Sequence, residues 1–423
     1  MWVPNFRLGD DSYFSTAHWR LGKVCPSRVK AIPMNPFTFN TTARIVFEDG
    51  ASGKLASHCG ACLGSRILVV TDPGIVQLGL ADPAIKSLRD AGHEVTVFSD
   101  VEADPSRKTV MSGLARAKDI QATGVLGFGG GSSMDVAKLV ALLAGSDEDL
   151  DEAWGVGMAK GPRLPLVLVP TTAGTGSEVT AVSIITVEND EKRGVVSPVI
   201  LPDYAVLDAE LTLGLPPHIT AATGIDAMVH AIEAYASKSA NNNTMSRVLA
   251  VEALRLLGAN IETAVFDGSN AKARGEMLLG SMLAGMAFAN SPVAAVHALA
   301  YPIGGMFHIP HGLSNALVLP HVLRFNAAEN ENGSATLYAE LAHHVFPELE
   351  KEEGFQGRCA AFIERLSELS LKLGLEKGLR ELNIPEDALP KMASESMKQT
   401  RLLVNNPRKV TEEDALAIYR AAY

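Results

Sequence analysis

The sequence predicts an α/β N-terminal domain with a Rossmann-like parallel sheet, followed by an all-α C-terminal domain. Three observations support this fold class. Between about residues 50 and 210, apolar runs typical of buried parallel strands alternate with helical stretches. From about residue 211 the strand patterns stop, and helical patterns continue to the C-terminus. The chain has 423 residues, too many for one ordinary core, so we expect two folded domains, 34–210 and 211–423.

Composition limits the class of protein. Hydrophobic residues make up 47% and charged residues 20% of the chain, which is typical of a globular protein. The net charge of −11, with no block of Lys and Arg, argues against nucleic acid as the main partner. We find no secretory signal, and the most apolar run, 136–144, is too short to span a bilayer, so no membrane partner is expected.

The four cysteines do not form a disulfide framework, which favours a reducing compartment. Cys59 and Cys62 form a C-x-x-C pair, which is compatible with a redox pair or half of a metal site. No second C-x-x-C completes such a site, so we favour two reduced thiols on a helix.

Residues 1–33 differ from the rest of the chain, because they hold two of the three tryptophans and show no clear period. One hypothesis is an N-terminal extension upstream of a functional chain that starts at Met34. The alternative is an ordered arm packed on a neighbouring subunit.

The α/β half is predicted from five strands and the helices between them. Ligands bind at the carboxyl ends of the strands in such doubly wound sheets. A helix over 106–118 connects the third strand to the fourth. The predicted strands are 43–47, 66–72, 94–98, 124–128 and 166–170.

A glycine loop follows the fourth strand. Gly129, Gly130 and Gly131 let the backbone approach an anion closely, and Ser132 or Ser133 is expected to start the next helix. The free N–H groups of that helix favour a diphosphate. The pattern predicts a phosphate cradle, although it is not the usual G-x-G-x-x-G sequence and a tight turn uses the same residues.

A second loop, 170–180, follows the fifth strand and is dense in hydroxyls and glycines. It suits hydrogen bonding to phosphate, ribose or nicotinamide, and a plain polar turn is the alternative. At the same sheet edge, Asp72 is placed to accept a ribose hydroxyl and to repel a 2′-phosphate, which favours NAD over NADP. Asp72 is equally suited to a turn.

The second half is predicted to be helical throughout. Thr411 and Asp414 match a capping box at the start of the last helix. The predicted helices are 218–238, 244–263, 271–289, 291–301, 312–325, 334–344, 355–374, 376–383, 386–398 and 411–421.

Four residues of this half suggest a metal site. Asp226 and His230 are four residues apart, so they project from one helix face, within a run of apolar residues where an unpaired charge is costly. His297 and His311 add two imidazoles. Each residue alone fits an ordinary core or surface role, but together they suit a divalent transition metal with a position open for substrate. The cleft between the two halves is the expected active site.

These motifs resemble those of the iron-dependent (group III) alcohol dehydrogenases, which have the dehydroquinate-synthase-like fold. The resemblance covers about residues 34–423, and residues 285–288 and 406–408 are two further stretches that carry it. It implies an Fe²⁺ site, or sometimes Zn²⁺, formed by Asp226, His230, His297 and His311. It implies NAD as the cofactor and a cytoplasmic homodimer. The NAD-binding positions it implies are Asp72, Gly129, Gly130, Gly131, Ser132, Asp135, Thr171, Thr172, Thr175 and Ser177.

The chain departs from this family at Tyr301, where many members have a second histidine that assists proton relay. A phenol titrates far from neutral pH, so proton release is expected to use Tyr301, the nicotinamide ribose or water. Tyr-Pro-Ile at this point is similar to the hydroxyacid–oxoacid transhydrogenase branch, whose substrate is 4-hydroxybutyrate.

The expected activity is metal-dependent, NAD(H)-linked hydride transfer between an alcohol and an aldehyde or ketone. A 4-hydroxybutyrate-type dehydrogenase or a transhydrogenase with tightly held cofactor is the first alternative. A dehydroquinate-synthase-like lyase should surround the site with Lys and Arg for an acidic substrate, and none surrounds the ligand stretches in the sequence. A non-catalytic assembly or metal-storage protein would leave both cofactor loops without a purpose.

Overall fold

The structure is a computed structural model that describes residues 36–188, 191–328, 333–352 and 354–423. Residues 36–423 form one compact unit. The expectation for residues 1–33 lies outside the described residues. The division of the remainder into domains 34–210 and 211–423 stays a prediction.

Six parallel strands form the central sheet, in the order β1-β9-β6-β4-β2-β3. The inner strands β4 and β6 are buried along their whole length, as expected where helices cover both faces. All five predicted strands are present, with ends that shift by at most two residues. The strands are β1 Arg44–Phe47, β2 Arg66–Val70, β3 Glu94–Phe98, β4 Gly124–Gly129, β6 Leu166–Pro170 and β9 Tyr204–Leu207. The α/β prediction is therefore confirmed, but β9 was missed.

Helices of three to 16 residues flank this sheet in the first half of the chain. The predicted helix 106–118 begins one residue later, because the Ser106 side chain caps it by accepting a hydrogen bond from Thr109 N. Cys59 and Cys62 lie on consecutive helical turns, and both thiols are free. The helices are α1 Ala61–Leu63, α2 Pro73–Gln77, α3 Asp82–Asp90, α4 Arg107–Asp119, α5 Gly131–Ser146 and α6 Leu150–Ala153.

A second, three-stranded sheet was not predicted. It has the order β5-β8-β7, with β7 and β8 antiparallel. Its strands are β5 Gly155–Val156, β7 Val182–Thr186 and β8 Lys192–Val196. Strand β5 spans only two residues and β8 begins with two basic residues, so these two strands lack the apolar runs that identify buried strands. This small sheet forms one wall of the cavity described below.

The second half of the chain is helical in the described residues, as predicted. The Thr411–Asp414 capping box is confirmed. Its α-helices are α7 Pro217–Ala236, α8 Thr244–Phe266, α9 Ala271–Asn290, α10 Ala295–Phe307, α11 His311–Ala327, α12 Ser334–Val345, α13 Phe355–Lys372, α14 Leu389–Ser396, α15 Thr400–Leu403 and α16 Glu412–Ala421.

Three helix predictions in this half were wrong in detail. The helix predicted at 291–301 begins only at Ala295. The helix predicted at 376–383 is a single 3₁₀ turn, Leu379–Leu382. The one predicted at 386–398 is a 3₁₀ turn followed by the eight-residue α14. The short helix α15 was not predicted.

Helix α7 lies at the centre of the helical half and packs against α8, α9, α11 and α12. Its residues from Gly224 to Ala234 are buried on every face, including Asp226, His230 and Glu233. No single helix of the described chain is long and apolar enough to cross a membrane, and only α9 and α10 taken together, across a 107° bend, meet that length and composition.

Candidate metal and cofactor site

The four candidate metal ligands converge. One ligand atom from each of Asp226, His230, His297 and His311 lies within 4.8 Å of the other three. Helix α7 supplies the first two residues one turn apart, α10 supplies His297, and His311 is the first residue of α11. The imidazole rings of His230 and His297 stack with centroids 4.7 Å apart, and those of His297 and His311 lie 5.4 Å apart.

The residues present fit a divalent metal. His297 Nε2 is buried and has no hydrogen-bond partner in the described part of the chain. A buried polar atom left unpaired in this way is costly, and a metal ion would satisfy it. The Asp226 side chain is only 3% exposed, whereas that of His311 is 41% exposed, so the site is closed on the α7 side and open at His311.

Glu233 orients His297. Its carboxylate accepts hydrogen bonds from His297 Nδ1 at 2.7 Å and from the backbone N–H groups of Ala294 at 3.0 Å and Val296 at 2.7 Å. With the proton on Nδ1, His297 Nε2 keeps its lone pair for a metal. This role of Glu233 was not predicted from the sequence, although a glutamate three residues after His230 in an apolar stretch indicates it.

Two further contacts hold the ligands. Asn315 Nδ2 donates to Asp226 Oδ1 at 2.6 Å and lies 3.2 Å from His311 Nε2. His230 Nδ1 lies 3.2 Å from the carbonyl oxygen of Gly174, so it donates to the second predicted cofactor loop. This contact joins the candidate metal site directly to that loop.

Burial and mutual charge set the protonation states at this site. Burial lowers the pKa of His230 to about 3, so its imidazole is neutral and able to bind a metal. Burial opposes ionisation of Asp226, but the nearby His230, His311 and His297 lower the pKa of its carboxyl below the ordinary value. One carboxylate and three imidazoles are a donor set that suits Fe²⁺ or Zn²⁺.

The ligand set opens into a cavity of about 320 Å³. Its walls come from the first turn of α5, the second loop, the small sheet and the helical half. Several of the predicted cofactor residues therefore face the same space as the four candidate metal ligands. Those that line the cavity are Gly131, Ser132, Asp135, Thr175 and Ser177, together with Tyr301.

The glycine loop has the geometry of an anion cradle. Gly129 has a φ of +147°, and a Cβ atom at Gly131 would lie 2.8 Å from the side chain of Thr175, so both positions require glycine. Helix α5 begins at Gly131 after Gly130, which provides no side-chain cap. The expectation that Ser132 or Ser133 starts this helix was wrong, because both lie inside its first turn. The backbone N–H groups of that turn are left free of a side-chain cap, as an anion site needs.

Asp135 has a different environment from the one expected of a pyrophosphate-binding residue. Its Oδ1 accepts from Ser177 Oγ at 2.7 Å and its Oδ2 accepts from Ile184 N at 2.8 Å. Both carboxylate oxygens are therefore used inside the protein, and a carboxylate would repel a diphosphate. The geometry makes Asp135 a positioning residue that joins α5, the second loop and β7.

Lys138 completes this network and was not singled out from the sequence. Its fully buried Nζ donates to Ser177 Oγ at 2.7 Å, to Thr180 Oγ1 at 3.2 Å and to the Val182 carbonyl at 2.6 Å. Burial lowers the pKa of Lys138 to about 8, an effect that Asp135 partly opposes. The hydroxyl of Ser177 thus links the two predicted cofactor loops.

Asp72 lies beside the glycine loop, and it also caps α2. Its Oδ1 accepts from Ile75 N at 3.0 Å, while Ser133 Oγ lies 3.4 Å from its Oδ2. One carboxylate oxygen thus remains next to Gly129. The backbone N–H of Thr171 donates to the Gly129 carbonyl at 3.0 Å, and Thr172 approaches Gly130. All the cofactor residues expected from the sequence therefore lie at one edge of the sheet.

Tyr301 faces the cavity next to the metal ligands. Its ring centroid lies 6.0 Å from that of His311, and its hydroxyl accepts a hydrogen bond from Arg401 Nη2 at 3.1 Å. Arg401 and Lys192 both line the cavity. The sequence analysis found no basic residue around the ligand stretches, because Arg401 and Lys192 are distant from them along the chain.

Comparisons with known proteins agree with this geometry. The model of the iron-containing alcohol dehydrogenase family matches residues 42–209, and the model of the C-terminal part of the Fe-containing alcohol dehydrogenase family matches residues 220–423. Long-chain-alcohol dehydrogenase 1 of Geobacillus thermodenitrificans is 41% identical over 392 residues, which cover 90% of this chain and 97% of that protein.

Solved structures show the same fold. A 1,3-propanediol oxidoreductase is 35% identical with a TM-score of 0.87, over 92% of this chain and 100% of that one. A sulfoacetaldehyde reductase from Bifidobacterium kashiwanohense, solved in complex with NAD⁺, is 29% identical with a TM-score of 0.80, over 92% of this chain and 98% of that one. The chain therefore belongs to the iron-containing alcohol dehydrogenase family, whose members are metal-dependent, NAD-linked oxidoreductases of alcohols and aldehydes.

Proposed function

We propose that this protein interconverts an alcohol and an aldehyde or ketone by hydride transfer with NAD(H), using a divalent metal held by Asp226, His230, His297 and His311. The observation that supports this most strongly is the shared cavity. The four metal-ligand candidates and the free first turn of α5 open into the same space.

The metal site is built for a Lewis acid, which when bound polarises the oxygen of an alcohol or carbonyl group. The chain's own contribution is orientation. Glu233 and Asn315 hold His297 and Asp226 in place, and the partly exposed His311 leaves the cavity side open. We propose Fe²⁺ as the native ion on the strength of family membership, with Zn²⁺ as the alternative that the same donors accept.

The cofactor site is proposed along the two loops at the sheet edge, where NAD supplies the hydride acceptor when bound. The first turn of α5, with Gly129, Gly130, Gly131 and Ser132, would hold the diphosphate through its N–H groups. Thr171, Thr172, Thr175 and Ser177 of the second loop are proposed to contact the cofactor, because this loop bonds to the candidate ligand His230 through the Gly174 carbonyl. The NAD⁺ complex of the related sulfoacetaldehyde reductase supports this cofactor. The Oδ2 of Asp72 beside Gly129 favours NAD over NADP.

Tyr301 is the proposed catalytic residue for proton release. Its hydroxyl accepts from Arg401 and keeps its own hydrogen free to donate beside His311. A phenol both donates and accepts hydrogen bonds, which suits it to relaying a proton to water or to the nicotinamide ribose. The Tyr301→Phe variant should therefore retain metal and cofactor binding and turn over more slowly.

We also propose a cytoplasmic homodimer. Family membership supports the assembly, and the free thiols at Cys59, Cys62 and Cys359 fit a reducing compartment. Sedimentation equilibrium tests the assembly, because a dimer has twice the chain mass of 44.8 kDa.

A substrate panel tests the proposed function. The apoprotein is reconstituted separately with Fe²⁺ and Zn²⁺, and NADH formation is followed with short alcohols, long alcohols and hydroxyacids. We expect metal-dependent NADH formation with at least one class. Folded protein that binds the metal but forms no NADH with any class, and consumes none with the corresponding aldehydes, would overturn the proposal.

The panel also separates the second candidate, a 4-hydroxybutyrate-type dehydrogenase or transhydrogenase. The cavity-lining cation of Arg401 is the observation that favours an acidic substrate. Exchange between a hydroxyacid and an oxoacid without added NAD would identify a transhydrogenase with tightly held cofactor. The match to the alcohol dehydrogenase model over both halves of the chain argues against a dehydroquinate-synthase-like lyase.

A further inference from the structure

Arg401 differs from the other cations around the cavity. Lys192 is paired with Asp104, with Nζ 2.5 Å from a carboxylate oxygen. All three donors of the buried Lys138 are used by protein oxygens. Arg401 makes no ion pair with any residue that the structure describes, and among these residues its side chain donates a single hydrogen bond, to the Tyr301 hydroxyl. No described carboxylate is therefore paired with its positive charge.

The position of this guanidinium relates it to the metal ligands. Its central carbon lies 5.9 Å from the centroid of the Tyr301 ring, and that ring lies 6.0 Å from the His311 ring. Arg401 is therefore next to the side of the cavity where His311 is exposed, with Tyr301 in contact with both. The lining of the same cavity includes apolar side chains, among them Val293 and Leu402.

The free donors of Arg401 indicate what it recognises. A guanidinium presents five N–H groups in a planar fork, and within the described part of the chain this fork makes one hydrogen bond. Such a fork binds carboxylate and other oxyacid groups through paired, charge-assisted hydrogen bonds. Apolar surroundings strengthen the attraction between opposite charges.

On the basis of the hydride-transfer function proposed above, we propose that Arg401 binds the acid group of the substrate. The substrate is then a short hydroxy acid, with its hydroxyl at the metal and a carboxylate or sulfonate at the other end. In its oxidation, the C–H bond at the hydroxyl-bearing carbon breaks and the hydride passes to NAD⁺, giving NADH. The hydroxyl proton is released, and the product is the corresponding oxo acid.

The competing explanation gives Arg401 a smaller role, in which it only fixes the Tyr301 hydroxyl. The two explanations differ in what they predict for charged and neutral substrates. A residue that only fixes Tyr301 affects all alcohols equally, whereas a residue that binds the acid group affects acids selectively.

The test compares kcat/KM for 4-hydroxybutyrate, 3-hydroxypropanesulfonate and 1-butanol in the parent protein and in three variants. Arg401→Gln should lower the ratio of acid to neutral kcat/KM by about 10- to 100-fold, mainly through KM. Arg401→Lys should restore part of that ratio. Tyr301→Phe is the matched control, because it removes the partner of the guanidinium and leaves the cation. It should lower turnover of all three substrates and keep the ratio.

An equal loss of kcat/KM for the acids and for 1-butanol in Arg401→Gln would overturn the proposal. A parent protein whose kcat/KM for both acids is no higher than that for 1-butanol would also overturn it. The two acids show whether the planar carboxylate or the tetrahedral sulfonate fits better. Circular dichroism and metal content of each variant report on folding.

Calorimetric titration with butyrate provides a readout that needs no turnover. The parent should bind this anion at least tenfold more tightly than Arg401→Gln, and equal affinities would contradict the proposal. If the parent forms no NADH from any alcohol but shows this difference in butyrate binding, the proposed redox function fails while the acid-binding role of Arg401 stands.

Discussion

Glu233 shows how one side chain can organise the candidate metal site. It accepts hydrogen bonds from the ring of His297 and from two backbone N–H groups at the start of α10. The same carboxylate therefore fixes both the orientation of a ligand and the place where its helix begins. This also explains why α10 starts at Ala295 and not at residue 291. The segment before Ala295 is not helical, and its Ala294 N–H donates to the Glu233 carboxylate.

Glu233→Gln should weaken metal binding by about 10- to 100-fold, because an amide orients the His297 imidazole less firmly and makes Nε2 a weaker donor. Competition with a chelator, followed by metal analysis, measures the affinity. The control is Glu340→Gln, which removes a carboxylate that accepts from Tyr235 outside the cavity. Equal metal affinities for the two variants would show that Glu233 has no part in the site.

Glu178 gives a prediction about pH. Burial raises the pKa of its carboxyl from 4.5 to about 7, an effect that Lys138 partly opposes. The folded chain therefore binds this proton more tightly than the unfolded chain, so the contribution to stability falls as pH rises from about 4.5 through 7. Relative to the parent, Glu178→Gln should gain unfolding free energy over this range, on the order of 2–3 kcal/mol. Denaturant unfolding at several pH values measures it, and a constant difference would contradict the raised pKa.

At this scale the sequence analysis identified the candidate ligands but not the residues that hold them. Asp226 and His230 could be found because four-residue spacing on a helix is readable, and a charge in an apolar run is unusual. The partners of Glu233 and Arg401 lie 64 and 100 residues away, respectively, along the chain. Such contacts depend on tertiary packing, which spacing does not reveal. The engagement of both Asp135 oxygens was hidden for the same reason, because it depends on Ser177 and on Ile184 of β7.

Among the elements, the second cofactor loop is fixed by a close approach to α9. A Cβ atom added at Gly285 would lie 2.8 Å from the Cα of Gly176, so the two backbones nearly touch. Gly176 itself has a φ of +59°. The loop that contains Thr175 and Ser177 is thereby held against the helical half, in addition to the hydrogen bond from His230 to Gly174.

Gly285→Ala should destabilise the protein by about 1–3 kcal/mol, because backbone atoms must move to accommodate the methyl group. It should also raise KM for NAD, since the displaced loop lies in the proposed cofactor site. The control is Gly357→Ala in α13, where nothing lies within 4 Å of the new methyl. That change should stabilise the helix slightly. Denaturant unfolding and steady-state kinetics test both variants, and similar behaviour of the two would contradict the close approach.

Element prediction succeeded where burial leaves a clear pattern in the sequence. The five strands found from the sequence are apolar runs or alternations that end in turn residues. The small sheet was missed because β5 spans only two residues and β8 begins with two basic residues, so neither has a readable apolar pattern. The short α15, which supplies Arg401, spans a single turn and has no readable period.

For the whole molecule, the candidate metal site connects three helices to a loop of the sheet. Ligands come from α7, α10 and α11, and His230 also bonds to Gly174. The two cofactor loops could be predicted to lie together, because the carboxyl ends of parallel strands share one edge. The ligand set could be added to the same site because the cleft between the two halves was the expected active site. The roles of individual cavity residues required the fold, since the small sheet and α15 form part of the wall.

Metal removal should lower the unfolding temperature, because an ion that binds only the folded chain stabilises it by mass action, by about 4 kcal/mol at 1,000 times its Kd. Calorimetry of the apoprotein with increasing Zn²⁺ should show a rising unfolding temperature. Mg²⁺ is the control, since it prefers oxygen ligands and should not replace Zn²⁺ at this site. A transition that is unchanged by Zn²⁺ would mean that the four side chains do not bind it.

The most direct test of the central claim is a titration of the apoprotein with Fe²⁺ under anaerobic conditions, with bound metal and the rate of NADH formation measured on the same samples. We expect both to rise together and to saturate at about one ion per chain, and we expect His297→Ala to lose both. Full activity in the metal-free protein, or in His297→Ala without bound metal, would contradict the claim that Asp226, His230, His297 and His311 hold the metal used in hydride transfer.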